Sequence, residues 1–285
     1  MKRFLAIFIA LTMVFSLTSC MDIQVTVPNK ANQGQSETLD IQQNDIDLND
    51  GFLVNDGNSN TPEPDVLSDN PAEWTLKQIV EQYKLAAGKT NDSVTSYQQM
   101  TMRKNSLVAI GTNDKPIADS LVSFSEGVMA TALSNNSMNI QGITGGHQNL
   151  LISDVAGAKA YKSGNNIVIE MLMKEQTDHG DGKMYEGTVG HAISVVGDID
   201  SVIGQFSGLG MQASIADKDC TLQYVTPVVK VTINSDGVII NGTWSYVVNI
   251  TLNNLEIKAM GITVPVKKAT SIVDFYVILN GGFKA

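Results

Sequence analysis

The chain has 285 residues, with 29 acidic and 19 basic side chains and a net charge of −10. An acidic chain without a basic stripe is not built to neutralise phosphates, so no nucleic-acid partner is expected. Only 6% of the residues are aromatic, which argues against a carbohydrate-stacking module, and two are cysteine.

The first twenty residues carry the strongest signal. Lys2 and Arg3 precede an apolar and hydroxyl run, Phe4 to Leu17, that leads into Leu17-Thr18-Ser19-Cys20. A basic start, an apolar segment and small residues before the cut are the layout of a secretory signal peptide. The apolar run is too short to span a bilayer comfortably as a lasting helix. Its last four residues resemble the bacterial lipobox. The resemblance implies that residues 1–19 are a leader and that Cys20 receives a thioether-linked diacylglycerol. The expected location is the extracytoplasmic face of the cell membrane, with the lipid as the membrane contact. Cys220 then stands alone, which excludes an intrachain disulfide. It is expected to be a small buried residue at the start of a strand.

Residues 20–74 read as an acidic, disordered tether. Residues 21–74 hold eleven acids and one base, so the acidity of the chain lies here and the body from Thr75 is almost neutral. Stretches such as Asn55-Asp56-Gly57-Asn58-Ser59-Asn60 and Thr61-Pro62-Glu63-Pro64 cannot bury enough apolar area to offset chain entropy. About 50 flexible residues span roughly 40 Å.

Order is expected from Thr75 to residue 285 as a single domain. Thr75 and Gln78 fit a capping box. Leu76, Ile79, Val80, Tyr83 and Ala87 recur at helical spacing up to Gly88, which suits a helix stop. The spacing predicts a helix over 75–87. From Val94 to Arg103 the period changes to two, the mark of a strand. Pro116, Ile117, Leu121, Phe124, Val128 and Ala132 predict a second helix over 116–133. Leu150 to Ile152, Ala158 to Tyr161 and Ile167 to Met173 are short β-prone runs. Val189 to Val196 reads as strand-like, with a short helix within 198–206. Ser235-Asp236-Gly237 predicts a tight turn after a strand from Val225. Thr243 to Leu255 alternates, with Trp244, Tyr246, Val248, Ile250 and Leu252 on one side. Thr270 to Asn280 returns after a bend at Met260-Gly261. Consecutive strands with short connections argue for an antiparallel meander. The expected fold class is α+β: a curved antiparallel sheet, a half-barrel, packed with one or two helices.

Motifs for chemistry are missing. His147, His179 and His191 show no metal-ligand spacing, so no metal is expected. Asp178-His179-Gly180-Asp181-Gly182 lacks the closing acid of a calcium loop. Gly142 to Gly146 lacks the Lys-Ser/Thr of a phosphate loop, and no Gly-x-Ser-x-Gly elbow occurs. The pairs Asp198/Asp200 and Asp217/Asp219 read as solvated turn residues. The chain is therefore expected to be neither an enzyme nor a cofactor carrier.

Lipobox, polar tether, amphipathic helix and long antiparallel meander follow one another in an order that resembles the bacterial lipoprotein-carrier superfamily, the LolA and LppX type. The local likeness is Trp74-Thr75-Leu76-Lys77-Gln78-Ile79-Val80-Glu81-Gln82-Tyr83 leading into the strand Val94 to Arg103. Gly190 to Val196 and Met260 to Val266 are similar to surface lipoproteins of clostridia-like Gram-positive bacteria. The resemblance implies a concave sheet face that holds a lipid or another apolar ligand without catalysis. Trp244, Tyr246, Val248 and Ile250 are the residues expected to line it, closed by the two helices. The rival expectation is a cell-surface structural or protein-interaction module with a filled core.

Overall fold

The computed structural model describes residues 51–55, 67–90, 94–114, 122, 126–127, 138–143, 147–180, 183–195, 211–259 and 262–280. Two compact units divide the chain, Met1–Ile46 and Asp47–Ala285, and every described residue belongs to the second. Cys20 and most of the expected helix at 116–133 lie outside the described residues, as do Asp198 and Asp200.

The strands in chain order are β1 (Leu53–Val54), β2 (Thr95–Met102), β3 (Val108–Gly111), β4 (Met138–Gln141), β5 (Val155–Ser163), β6 (Asn166–Met173), β7 (Gln176–Asp178), β8 (Met211–Ser214), β9 (Cys220–Ile233), β10 (Ile239–Ala259) and β11 (Ile262–Leu279). The described α-helices are α1 (Leu76–Thr90) and the short α2 (Thr188–Ala192). The strands form one antiparallel sheet along the path β1-β5-β6-β9-β10-β11-β2-β4. This path is open, ending at β1 and β4. β7 adds to β9, β8 to β10 and β3 to β11. The expected α+β class with an antiparallel meander is the observed one.

The capping box forms as expected. The Thr75 backbone N–H donates to Gln78 Oε1 at 2.9 Å, and the Gln78 N–H donates to Thr75 Oγ1 at 3.3 Å. Ile79, Val80, Tyr83, Ala86 and Ala87 form the buried stripe of α1. The helix does not stop at Gly88 but runs to Thr90. The reason is tertiary. Thr90 Oγ1 donates to the Ala86 carbonyl at 2.6 Å and accepts from the Ile239 N–H at 2.8 Å. That buried bond holds the last turn onto the start of β10, and the helix tolerates the glycine.

The β9–β10 turn is built by Asn234. Its Oδ1 accepts from the backbone N–H groups of Asp236 and Val238, at 3.1 and 3.0 Å. Gly237 supplies the left-handed φ of 74°. Two irregularities then shape the long strands. Opposite Tyr246, β9 carries an extra residue at Thr226-Pro227, with Thr226 at φ 47°. A proline is tolerated there because a bulge needs no ladder donor. Further along, Asn254 (φ 51°) stands opposite Lys267 without a ladder pair while the register on either side is unchanged, and the buried positions of β10 pass there from even numbers, such as Ile250, to odd ones, such as Leu255.

Two expectations about local structure change. The run at Leu150 to Ile152 is not strand; 3-10 turns occupy His147–Asn149 and Ile152–Asp154. Val189 to Ala192 is the helix α2, not strand. Gln176 explains it: its buried Oε1 accepts the Val189 N–H at 2.6 Å and caps the helix start.

The tether expectation also needs correcting. Order begins before Thr75. Leu53 and Val54 pair with Ala158 and Gly157, and Phe52 is buried beneath them. Pro71 and Trp74 are buried too, and the Trp74 indole N–H donates to the Ser68 carbonyl at 2.7 Å. Single apolar residues in a polar stretch have found seats on the sheet. The rest of residues 20–66 lies outside the described part.

Candidate functional site

Alternate residues of β10 face α1, as the pattern required. Trp244 donates its indole N–H to Tyr83 Oη at 2.8 Å, and its ring lies over Gly242, where any Cβ would collide with it. Tyr246 stacks on Phe275 with centroids 4.6 Å apart and planes 4° from parallel. Tyr224 meets Tyr246 edge-on at 5.1 Å and 76°. Val248 and Ile250 continue the row beside Tyr224 and Leu222 of β9.

This face is filled. Trp244 and Val248 have 0% of their surface accessible, Tyr246 1% and Ile250 8%. A surface that a water molecule cannot touch offers no seat to a hydrocarbon chain, which is wider. All four side chains belong to the main core, packed with Val273, Phe275 and Val277 of β11. The space expected to hold a ligand therefore holds side chains. Alternating apolar residues specify a buried face, and both a lumen and a core meet that description. Burial raises the Tyr246 hydroxyl well above its usual pKa, helped by the nearby Tyr224 and Tyr185 hydroxyls.

Beyond the Asn254 irregularity the same face is less covered. Leu255, Val266 and Ala269 form a small separate cluster. Leu252, Ile257, Ala213, Ile215 and Ala109 pack on it and stay partly exposed. β8 and β3 flank the hairpin at this end.

The opposite face of the sheet carries two sets of paired charges. Lys159, Glu170 and Lys230 stand side by side on β5, β6 and β9. Glu170 bonds Lys230 at 2.7 Å and Tyr161 Oη at 3.0 Å, with Lys159 at 3.4 Å. Burial pushes the Glu170 carboxyl up. The Lys230 ammonium, the Tyr161 hydroxyl and the Lys159 ammonium outweigh it, so the pKa lies below its ordinary value. Arg103 grips Asp274 through Nε and one terminal nitrogen, at 2.8–3.1 Å. Around these pairs the face shows Tyr97 exposed and Leu172, Val228, Ile272, Tyr276 and Ile278 half-buried. This face has no clean period in the sequence, because Leu172, Val228, Ile272 and Ile278 stand among Lys159, Glu170, Lys230 and Asp274.

The remaining candidates are structural. His191 Nδ1 lies 2.9 Å from Asp154 Oδ2, which also accepts the Leu151 N–H at 2.9 Å. The pair braces α2 against the 3-10 turn at 152–154. His179 Nδ1 sits 2.9 Å from the Cys220 carbonyl, and His147 is buried in its own turn. Asp217 and Asp219 lie in a 3-10 turn, with Asp219 accepting from Asn254 Nδ2 at 3.1 Å. Among the described residues no group of His, Cys, Asp or Glu side chains is placed to hold a metal. Cys220 is fully buried at the head of β9, where burial and the Asp217 charge push its thiol up to about 11.

Comparison with known proteins found no matching family model, no matching curated protein and no matching solved structure.

Proposed function

We propose that this chain is a lipoprotein held at the extracytoplasmic face of the cell membrane by a diacylglycerol on Cys20. In this reading the sheet curls as a half-barrel around its filled core. The folded part works without catalysis, as a module that docks another protein of the cell envelope. The contrast between the two sheet faces carries the reading. The inner face is closed by its own side chains. The outer face pairs Arg103 with Asp274 and Glu170 with Lys159 and Lys230, and leaves tyrosine and branched aliphatic side chains half-covered. Such a surface costs little desolvation when a partner covers it, and tyrosine is a frequent anchor at interfaces.

A photo-crosslinking residue placed on intact cells at position 276, and at exposed Lys77 as a control, tests the docking face. The expected result is a discrete protein adduct from position 276 and none from 77. No adduct from position 276 or its neighbour 97 would remove the proposal. Mass spectrometry of the N-terminal peptide tests the anchor separately, through the loss of acylation in Cys20→Ala.

A second reading keeps an apolar ligand but moves it. The partly exposed side chains of Leu252, Ile257 and Ile215 offer an apolar surface that the Trp244 row does not. Native mass spectrometry of the purified protein, with Ile257→Asp as the contrast, separates the readings: lipid retained by the parent and lost in the variant favours a ligand.

A further inference from the structure

The strand register lines up one row of side chains across the outer face. Lys159, Glu170, Lys230, Thr243, Ile278 and Tyr97 follow one another on β5, β6, β9, β10, β11 and β2. Residues directly opposite each other on neighbouring strands share a side of the sheet. Neighbouring strands lie about 4.8 Å apart, so Tyr97, three strands from Lys230, stands about 14 Å away along the sheet.

The two ends of this stretch differ in chemistry. Lys230 keeps 58% of its side chain exposed while its ammonium holds Glu170 at 2.7 Å. An ammonium has three N–H donors, so one bond to Glu170 leaves donors for another acceptor. Tyr97 is 42% exposed, and Ile278, its ladder partner, is half-buried. Glu170 and Asp274, the acids that the described strands place on this side before Asn254, are both held by bases. Lys268 adds an exposed base on the same side. Among the described strand residues, an approaching surface thus meets ammonium groups and no bare carboxylate.

We propose that the docking face takes a partner protein at two points: a carboxylate of the partner on Lys230, and an apolar side chain of the partner on Tyr97 and Ile278, about 14 Å away. The inference rests on the docking reading above and adds to it the chemistry of the partner. Glu170 already holds the Lys230 ammonium in place, so a second carboxylate costs little side-chain freedom. Tyrosine supplies broad contact area with few rotatable bonds. Charge at one end and apolar contact at the other fix the direction in which the partner lies across the strands. Reversed, its carboxylate would be desolvated over Ile278 without a base. A bilayer fits this face less well, because Ile278 and Tyr276 stand half-buried among their neighbours and do not protrude.

Photo-crosslinking on intact cells tests the pattern, with yields normalised to the amount of the chain. The reactive residue goes at position 276, which lies in the next row, opposite Ser245 and Gln99, and leaves both contact points intact. Lys230→Met, which keeps the stem and removes the charge, should lower the protein adduct about tenfold, and Lys230→Glu should lower it further. Lys230→Arg should hold it within about twofold. Tyr97→Ala should lower it about tenfold. Lys77→Met, on an exposed position of α1, should leave it unchanged. A second readout needs no substitution. The affinity of the purified parent chain for the captured protein should fall about tenfold between roughly 50 and 500 mM salt. An adduct undiminished in both Lys230→Met and Lys230→Glu, or an affinity indifferent to salt, overturns the charge pattern and leaves the docking face standing. A phospholipid adduct in place of a protein overturns it in favour of the membrane. No adduct in the parent chain removes the docking reading and this inference together.

Discussion

At the scale of the residue, the buried polar contacts decide most. The Tyr83–Trp244 bond joins α1 to the middle of the sheet inside the buried core. Tyr83→Phe keeps the ring but strips the indole N–H of its acceptor. The expected cost is about 1–3 kcal/mol, measured by urea unfolding. Glu170 gives a pH signature. Its folded-state pKa is depressed, so its stabilisation is complete above the ordinary glutamate range. It is lost as pH falls through the lowered value. Glu170→Gln should therefore cost on the order of 1 kcal/mol near neutrality. The gap to the parent protein should close on acidification, and a gap that stays constant with pH would contradict the ion-pair account. Cys220, with its thiol pushed up to about 11, should resist an aromatic disulfide reagent at pH 8 until the chain unfolds.

At the scale of the element, helix α1 offers the cleanest test. Gly88 lies inside it, exposed, and a Cβ added there would meet nothing within 4 Å. Gly88→Ala should raise stability by about 0.5–1 kcal/mol, seen as a higher urea midpoint at unchanged slope. The same glycine shows where sequence reading ends. A glycine after a helical stripe is a common stop signal, and only the distant Ile239 N–H, bonded to Thr90, overrides it. The C-terminal hairpin was legible because its alternation is local and long: Val273, Phe275, Val277 and Leu279 are buried where a period of two puts them. β1 was not legible, because one phenylalanine among polar residues carries no period. The candidate site was legible as a face and not as a site. Trp244, Tyr246, Val248 and Ile250 do share a side, but whether that side is hollow depends on how far α1 and the neighbouring strands close over it.

At the scale of the whole molecule, the boundary of the folded unit can be checked by truncation. The described part of the folded unit begins at Gly51, inside the unit Asp47–Ala285. Removing residues 20–74 takes Phe52, Pro71 and Trp74, all buried. Losing a buried tryptophan and phenylalanine costs several kcal/mol in total, so a drop of about 10 °C or more is expected by calorimetry.

The place of β11 in the sheet has a consequence for how the protein is made. It lies between β10 and β2, and the Arg103–Asp274 pair that ties it to the front of the chain joins residues 171 positions apart. A polypeptide leaves the ribosome with its N-terminus first. α1 and β2 are thus finished long before their partner exists, and β9 and β10 follow with one flank bare. The strand made after β9 and β10 completes the middle of the sheet, not its rim. A product that stops short of Ile262 is therefore two half-sheets with facing, unsatisfied edges, ready to pair with whatever strand comes near. For this chain the eighteen residues of β11 are the difference between a protein and an aggregate.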